Sequence, residues 1–357
     1  MKSKTKFMAV LLCSLFAIGS VLFLFQWSET IMHADNPFIR RYVMGCMKLH
    51  QIDLKYNSYY FAGSSKNKVF LGNSVGPLHV TTVDSALLKK SSFKLEPDRM
   101  DLPFTSPVLS VKPPHLYFID GGIPAVFKGR LDSPKVTLCW KGTNRFSQPQ
   151  VLNQNTLACR TIDPESRNSE LALVHFGARP RFEVHRDLLQ KQVDGLFDSD
   201  GSLNFSSQSA NVIYTYLYRN IFIVADTALK LRYRGRTIDT TTHAKIEVAH
   251  LPGRGELKLS SPPRIVNRMS AVDRNLLFVA SSLIGRFEDP MLWKQATIID
   301  VYDTANDDYV ASFYIYNIDG KRARAIAVDE GRLYALIGTQ LVYYRLDELI
   351  RKHYRSR

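Results

Sequence analysis

Short apolar runs, alternating with polar residues and cut by turn residues, recur along most of the chain about every 50 residues. The last copy, Ala323–Leu346, is the clearest. There Ile326-Ala327-Val328-Asp329, Leu333-Tyr334 and Val342-Tyr343-Tyr344 read as three strands joined by tight turns, the unit of a β-propeller blade. A first block holds Tyr59–Ala62, Val69–Gly72 and Leu78–Asp84, with Phe93–Leu95 outermost. A second holds Leu116–Asp120, Ala125–Leu131 and Val136–Trp140; a third holds Thr156–Ile162 and Leu171–Phe176. A fourth holds Val212–Tyr218, Ile221–Asp226 and Leu229–Ile238. The fifth contains Arg264–Val272, Leu276–Ser282, Thr297–Tyr302 and Val310–Tyr316. The fold class expected is all-β, a six-bladed propeller preceded by one N-terminal transmembrane helix. Seven blades would need a copy hidden in Arg179–Ser207 or Thr240–Pro263.

Turn chemistry agrees. Asp120-Gly121-Gly122, Asp200-Gly201, Asp319-Gly320 and Glu330-Gly331 fall between apolar runs, where hairpins need residues that tolerate positive φ. Helical periodicity is confined to the N-terminal apolar run, to Glu183–Val193, where Leu188, Leu189 and Val193 share a face, and to Asp347–Lys352. The last copy supplies three strands before the chain turns charged and ends, which would leave the ring with an open edge. Lys48–Leu54, with Ile52 and Leu54 alternating with polar neighbours, is the candidate fourth strand. Removal of the chain before Tyr56 should therefore destabilise the domain.

On Ile326–Asp329, Leu333-Tyr334 and Val342–Tyr344, the chain resembles six-bladed propellers of the NHL and TolB-like kind, closely in the last copy and loosely over the rest. The resemblance implies a funnel-shaped ring whose top loops bind proteins, peptides or small ligands. It does not imply an enzyme.

Met1–Lys6 carries Lys2, Lys4 and Lys6, and Phe7–Phe25 then runs about 19 residues without a charge, enough to span a bilayer. The run closes on bulky Leu24-Phe25-Gln26-Trp27, which favours an uncleaved anchor over a signal peptide; Met32-His33-Ala34 is the one weak cleavage candidate. The organisation expected is a cytoplasmic basic tail (1–6), a signal anchor (7–26), a linker (27–45), the propeller (46–350) and a basic C-terminal tail (351–357). Lysines ahead of the helix keep that end in the cytoplasm, which puts the propeller on the periplasmic side of an inner membrane. Net charge is +14, of which about +11 lies beyond the tail, so the exported surface suits anionic partners: lipid headgroups, acidic glycans or an acidic protein face. Location disfavours nucleic acid. Of the four cysteines, Cys13 lies within the anchor, and Cys139–Cys159 is a candidate disulfide with Cys46 left over. Three small buried residues are the competing reading.

Lys230, Arg232, Arg234 and Arg236 alternate with Leu229, Leu231, Tyr233 and Gly235, so strand geometry projects all four cations from one face. They read either as an anionic-partner surface or as a solvated outer strand whose charges prevent edge-to-edge pairing. Arg322 and Arg324, beside Lys321 at the start of the last blade, are candidates for lining the channel mouth, against the alternative of a surface turn. No Gly-x-Ser-x-Gly elbow or metal-ligand spacing marks a catalytic site, and the histidines are dispersed. The leading expectation is a membrane-anchored scaffold that binds an envelope or membrane protein, or an anionic ligand, without a cofactor. The alternative is a metal-dependent propeller hydrolase or lactonase holding calcium in its channel, with Asp120, Asp226, Asn275 and Asp329 as candidate ligands.

Overall fold

In the computed structural model, which describes residues 2–33, 36–65, 67–251 and 256–355, the strands form six blades around one axis. Blade 1 begins with the inner strand Tyr59–Ser65 and ends with the outer strand Lys90–Lys94. Blade 2 runs from Val108–Lys112 to Lys135–Lys141 and gains a short parallel strand, Glu96–Pro97, on its edge. Blade 3 runs from Phe146–Asn153 to Arg181–His185, blade 4 from Gly201–Ser206 to Leu231–Arg236, and blade 5 from Asn267–Asp273 to Asp308–Tyr316. Blade 6 takes three strands from Ala323–Asp329, Arg332–Ile337 and Gln340–Leu346, and its fourth from Cys46–Asp53. That N-terminal strand pairs antiparallel with Gln340–Leu346 and closes the ring as the sequence required. Neighbouring inner strands pack on one another all the way round. Between blades 4 and 5 a further hairpin, Val248–Leu251 with Glu256–Leu259, stands apart from the ring sheets.

Each of the six junctions between blades has its own apolar cluster. A middle strand is therefore buried on both faces, which is why Leu276–Ser281 and Ala296–Asp303 are continuous buried runs and not alternations. The inner strands behave differently, because one side faces the channel. Ser110, Gln148, Gln150 and Asn204 are half-buried on these strands, and Gln148 and Asn204 bond to the next inner strand, at Gly201 and Leu203 and at Ser270. This polar content hid the inner strands of blades 2, 3 and 4 from an apolar-run reading. The helix expected over Glu183–Val193 is not formed: Arg181–His185 pairs as the outer strand of blade 3, and Leu188 and Leu189 then turn into the blade 3–4 cluster.

Positive φ occurs at Asp319, Gly320, Glu330 and Gly331, as expected for those hairpins. At Asp120 the device is different. Its carboxylate accepts from the Thr105, Ser106 and Gly122 backbone N–H groups at 2.7, 3.2 and 2.8 Å.

Helix α1 covers Lys2–His33 and contains the apolar stretch Val10–Ser28, long enough to cross a membrane. Ala34 of the weak cleavage triplet, Met1 of the basic tail, and 356–357 of the C-terminal tail lie outside the described residues. The segment expected as a linker is fastened to blade 5 over its second half. Phe38 is buried among Val266, Leu283 and Ile238. Arg40 then inserts fully, with Nε 2.8 Å from Asp300, Nη1 2.9 Å from Glu288 and Nη2 2.7 Å from the Ser281 hydroxyl. Burial alone would lower the guanidinium pKa, but Asp300 and Glu288 outweigh it and raise it. Tyr42 stacks on Tyr314 at 4.5 Å and bridges in parallel to Ser312. Residues 36–45 are thus a strap over the outer edge of blade 5.

Two faces follow from the connectivity. The upper face carries the blade-to-blade connections and the turns between second and third strands. The lower face carries the remaining turns and the C-terminal helix Glu348–Arg351, capped by Asp347.

A basic cavity on the lower face

The cationic strand of blade 4 is not a uniform row. Its pairing with Ile221–Ala225 shifts register, with Ala225 opposite Leu231 and Val224 opposite Tyr233, so Arg232 is the extra residue of a bulge. The bulge sends Arg232 and Arg234 to different cavities. Arg234 reaches back to blade 3 and donates to the Asp187 and Leu188 carbonyls at 3.1 and 3.2 Å, a structural tie between blades. Lys230 precedes the strand in a turn held by Asp226, and Lys230 and Arg236 are exposed. The expected one-faced row is therefore divided.

Arg232 lines a cavity of about 910 Å³ on the lower face, where blades 4, 5 and 6 meet, together with Asn211, Arg274, Asn275, Arg355 and one carboxylate, Glu330. Arg274 occupies the turn between Asn267–Asp273 and Leu276–Ser281 at φ 53, with its guanidinium 5.4 Å from the Tyr354 ring. Arg355 follows the C-terminal helix, where its backbone N–H donates to Asn275 Oδ1 at 3.0 Å. Asn275 is itself fixed by bonds to Asp303 and the His353 carbonyl. Neutralising groups are sparse. Arg355 lies 3.9 Å from Asp303, and Glu330 pairs with Arg332 at 3.2 Å, while Arg232 and Arg274 make no ion pair among the described residues. The Asn211 side-chain oxygen is buried at the wall without a hydrogen-bond partner. Converging guanidiniums with few carboxylates form a receptor for carboxylate or phosphate oxygens, which accept bidentate bonds from such groups.

Arg322 and Arg324 do come together. With Lys321, Asn57 and Gln340 they line a cavity of about 470 Å³ on the upper face, where blades 6 and 1 meet. Arg322 donates to the Trp293 carbonyl, and burial lowers the Arg324 pKa. Burial, and then Arg322, lowers that of Arg268 on the inner strand of blade 5. At the lower ends of the inner strands of blades 2 and 4, the Lys112 ammonium sits 4.2 Å over the Phe205 ring, and burial pushes its pKa down to about 8.

Reading the sequence singled out Arg232 but missed Arg274 and Arg355. They belong to different blades, and only ring closure brings them together; the sole local signal was Arg274-Asn275 in a turn position.

The four cysteines are free thiols. Cys139 and Cys159 share the blade 2–3 cluster, but each thiol donates to a carbonyl, of Val126 and of Ala172, and the candidate disulfide is not formed. Burial pushes the Cys139 thiol up to about 11 and Cys159 higher, which disfavours the reactive thiolate. The residues considered for calcium serve local structure: Asp120 and Asp226 cap turns, Asn275 binds Asp303, and Asp329 lies beside Arg332. Among the described residues, no group of three or more His, Cys, Asp or Glu side chains is placed to hold a metal ion.

Six blades closed by an N-terminal strand define the class as a β-propeller. No protein-family model matches the chain, and no curated protein matches it in sequence. Solved structures do. A member of the DUF4221 family from Bacteroides vulgatus matches with a TM-score of 0.50 at 10% identity, covering 88% of this chain and 99% of that one. A gluconolactonase from Xanthomonas campestris has a TM-score of 0.47 at 13% identity, covering 88% and 98%. At these identities the likeness is one of fold.

Proposed function

We propose that this chain is a single-pass, inner-membrane-anchored propeller of the NHL or TolB-like kind. It displays its domain to the periplasm and acts there as a scaffold that binds an acidic partner, a protein segment or a small anionic ligand, in the lower-face cavity. The observation that carries the reading is the convergence of Arg232, Arg274 and Arg355 on one cavity with so little carboxylate to neutralise them. The apolar stretch Val10–Ser28 supports the anchor. The net charge of +14 supports an anionic partner. The channel-hydrolase alternative has no comparable support, since its candidate acids are engaged in turns.

The test is titration of the detergent-solubilised full-length protein with a polyaspartate peptide and with pyrophosphate, at low and high salt. The triple variant Arg232→Ser, Arg274→Ser, Arg355→Ser should lose binding, while Lys230→Ser with Arg236→Ser should lower affinity modestly and only at low salt, where screening is weakest. Full affinity in the triple variant removes the cavity from consideration.

A further inference from the structure

The strap on blade 5 brings the membrane span to a particular place on the propeller. Phe38 is buried at the upper face, and the Arg286 N–H donates to its carbonyl at 2.8 Å. From Ser28, the end of the apolar stretch, to Phe38 is ten residues, and with the helix running to His33 the reach is at most about 25 Å. The loop 282–295, which includes the short helix α2 (Pro290–Gln295), is the part of the upper face tied to this point. Its Glu288 carboxylate is gripped from four sides, by Arg40, the Tyr42 hydroxyl, the Trp293 indole N–H and the Gly285 N–H.

A loop so firmly held still presents apolar groups to solvent. Phe287 is 71% exposed and Met291 56% exposed. Phe287 sits at φ 66, a strained conformation for an aromatic residue, and the Arg286 guanidinium lies 4.9 Å from its ring. Arg286 and Lys294 are exposed on the same loop, and the bond from Arg322 to the Trp293 carbonyl brings the exposed Lys321–Arg322 turn alongside. Asp289, whose carboxylate accepts from the Met291 N–H, and Asp319 offset two of these four cations, so the patch keeps a net positive charge. The two faces also differ. Val75 and Val193 are further exposed apolar residues in upper-face turns, whereas among the described residues the lower-face turns and C-terminal helix expose Leu88 and Leu349.

We infer that loop 282–295 and the Lys321–Arg322 turn form a second membrane contact, which sets the upper face against the anionic headgroups of the bilayer that holds α1. Phe287 and Met291 enter the boundary between headgroups and acyl chains, and Arg286, Lys294, Lys321 and Arg322 meet lipid phosphates. The inference rests on the reading of α1 as a membrane anchor. Its consequence is orientation: the lower-face cavity points away from the bilayer, toward partners in the aqueous space.

The test uses full-length protein reconstituted in vesicles of phosphatidylcholine and phosphatidylglycerol, with Phe287→Trp and, as the opposite-face control, Leu88→Trp. Brominated lipids should quench the fluorescence added at position 287 and leave that added at 88 unchanged, and omission of phosphatidylglycerol should weaken the quenching. An alkaline carbonate wash separates the two ways of failing. If the protein stays in the vesicles and position 287 is quenched no more than 88, the contact is refuted and the anchor stands. If the wash strips the protein from the vesicles, the anchor reading fails and the contact falls with it. Quenching at 287 that ignores phosphatidylglycerol refutes the role given to the four cations.

Discussion

The strap on blade 5 and the cavity between blades 4, 5 and 6 are both built on arginine, and they use it in opposite ways. Arg40 is fully buried and its guanidinium is satisfied by Asp300, Glu288 and Ser281. Arg232 and Arg274 line a cavity and make no ion pair among the described residues. A guanidinium that has been given carboxylates inside the protein is part of the architecture; one left without them is available to a ligand. Lys112 is a third case, half-buried over an aromatic ring and without an ion pair among the described residues.

The contrast can be broken at several points. Truncation through Leu54 removes both the strap and the closing strand Cys46–Asp53, and the propeller should lose its cooperative unfolding transition in urea. Arg40→Ala leaves Asp300 and Glu288 buried without their partner and should cost about 3–5 kcal/mol, read from the urea midpoint of the solubilised full-length protein. Lys112→Met should act in the other direction. Burial holds the folded ammonium at about 8, below the ordinary lysine value of 10.5. The unfolded chain therefore binds more protons between those values, and wild-type stability rises with pH across that window. The variant should be more stable at neutral pH and lose that rise, which thermal melts from pH 7 to 11 would register. The pair Arg232→Ser and Arg274→Ser should change stability by no more than about 0.5 kcal/mol while weakening polyaspartate binding. A large destabilisation would show that these two arginines belong with Arg40.

How far the sequence disclosed this arrangement depends on what each residue faces. Middle strands, buried on both sides, announce themselves as apolar runs, and so does the terminal blade that exposed the need for Cys46–Asp53. Inner strands such as Phe146–Asn153 carry Gln148, which bonds to the neighbouring inner strand, and Gln150, and lack that signature. Glu183–Val193 misled because Leu188 and Leu189 are buried for a different reason, at the blade 3–4 junction. Arg40 carries no local signal of its role, since its partners are 248 and 260 residues away. The row Lys230, Arg232, Arg234, Arg236 was visible as chemistry, but the bulge that divides it is a property of pairing, which a single strand does not reveal. The cavity needed three blades to be assembled before it existed.

Arginine modification by phenylglyoxal, mapped by mass spectrometry with and without saturating polyaspartate, tests the central claim most directly. The account predicts that polyaspartate protects Arg232, Arg274 and Arg355, that Arg40 is unreactive in both states, and that Arg322 and Arg324 are modified equally with and without the peptide. Protection confined to Arg322 and Arg324, or reactivity at Arg40 equal to that at Arg232, would contradict it.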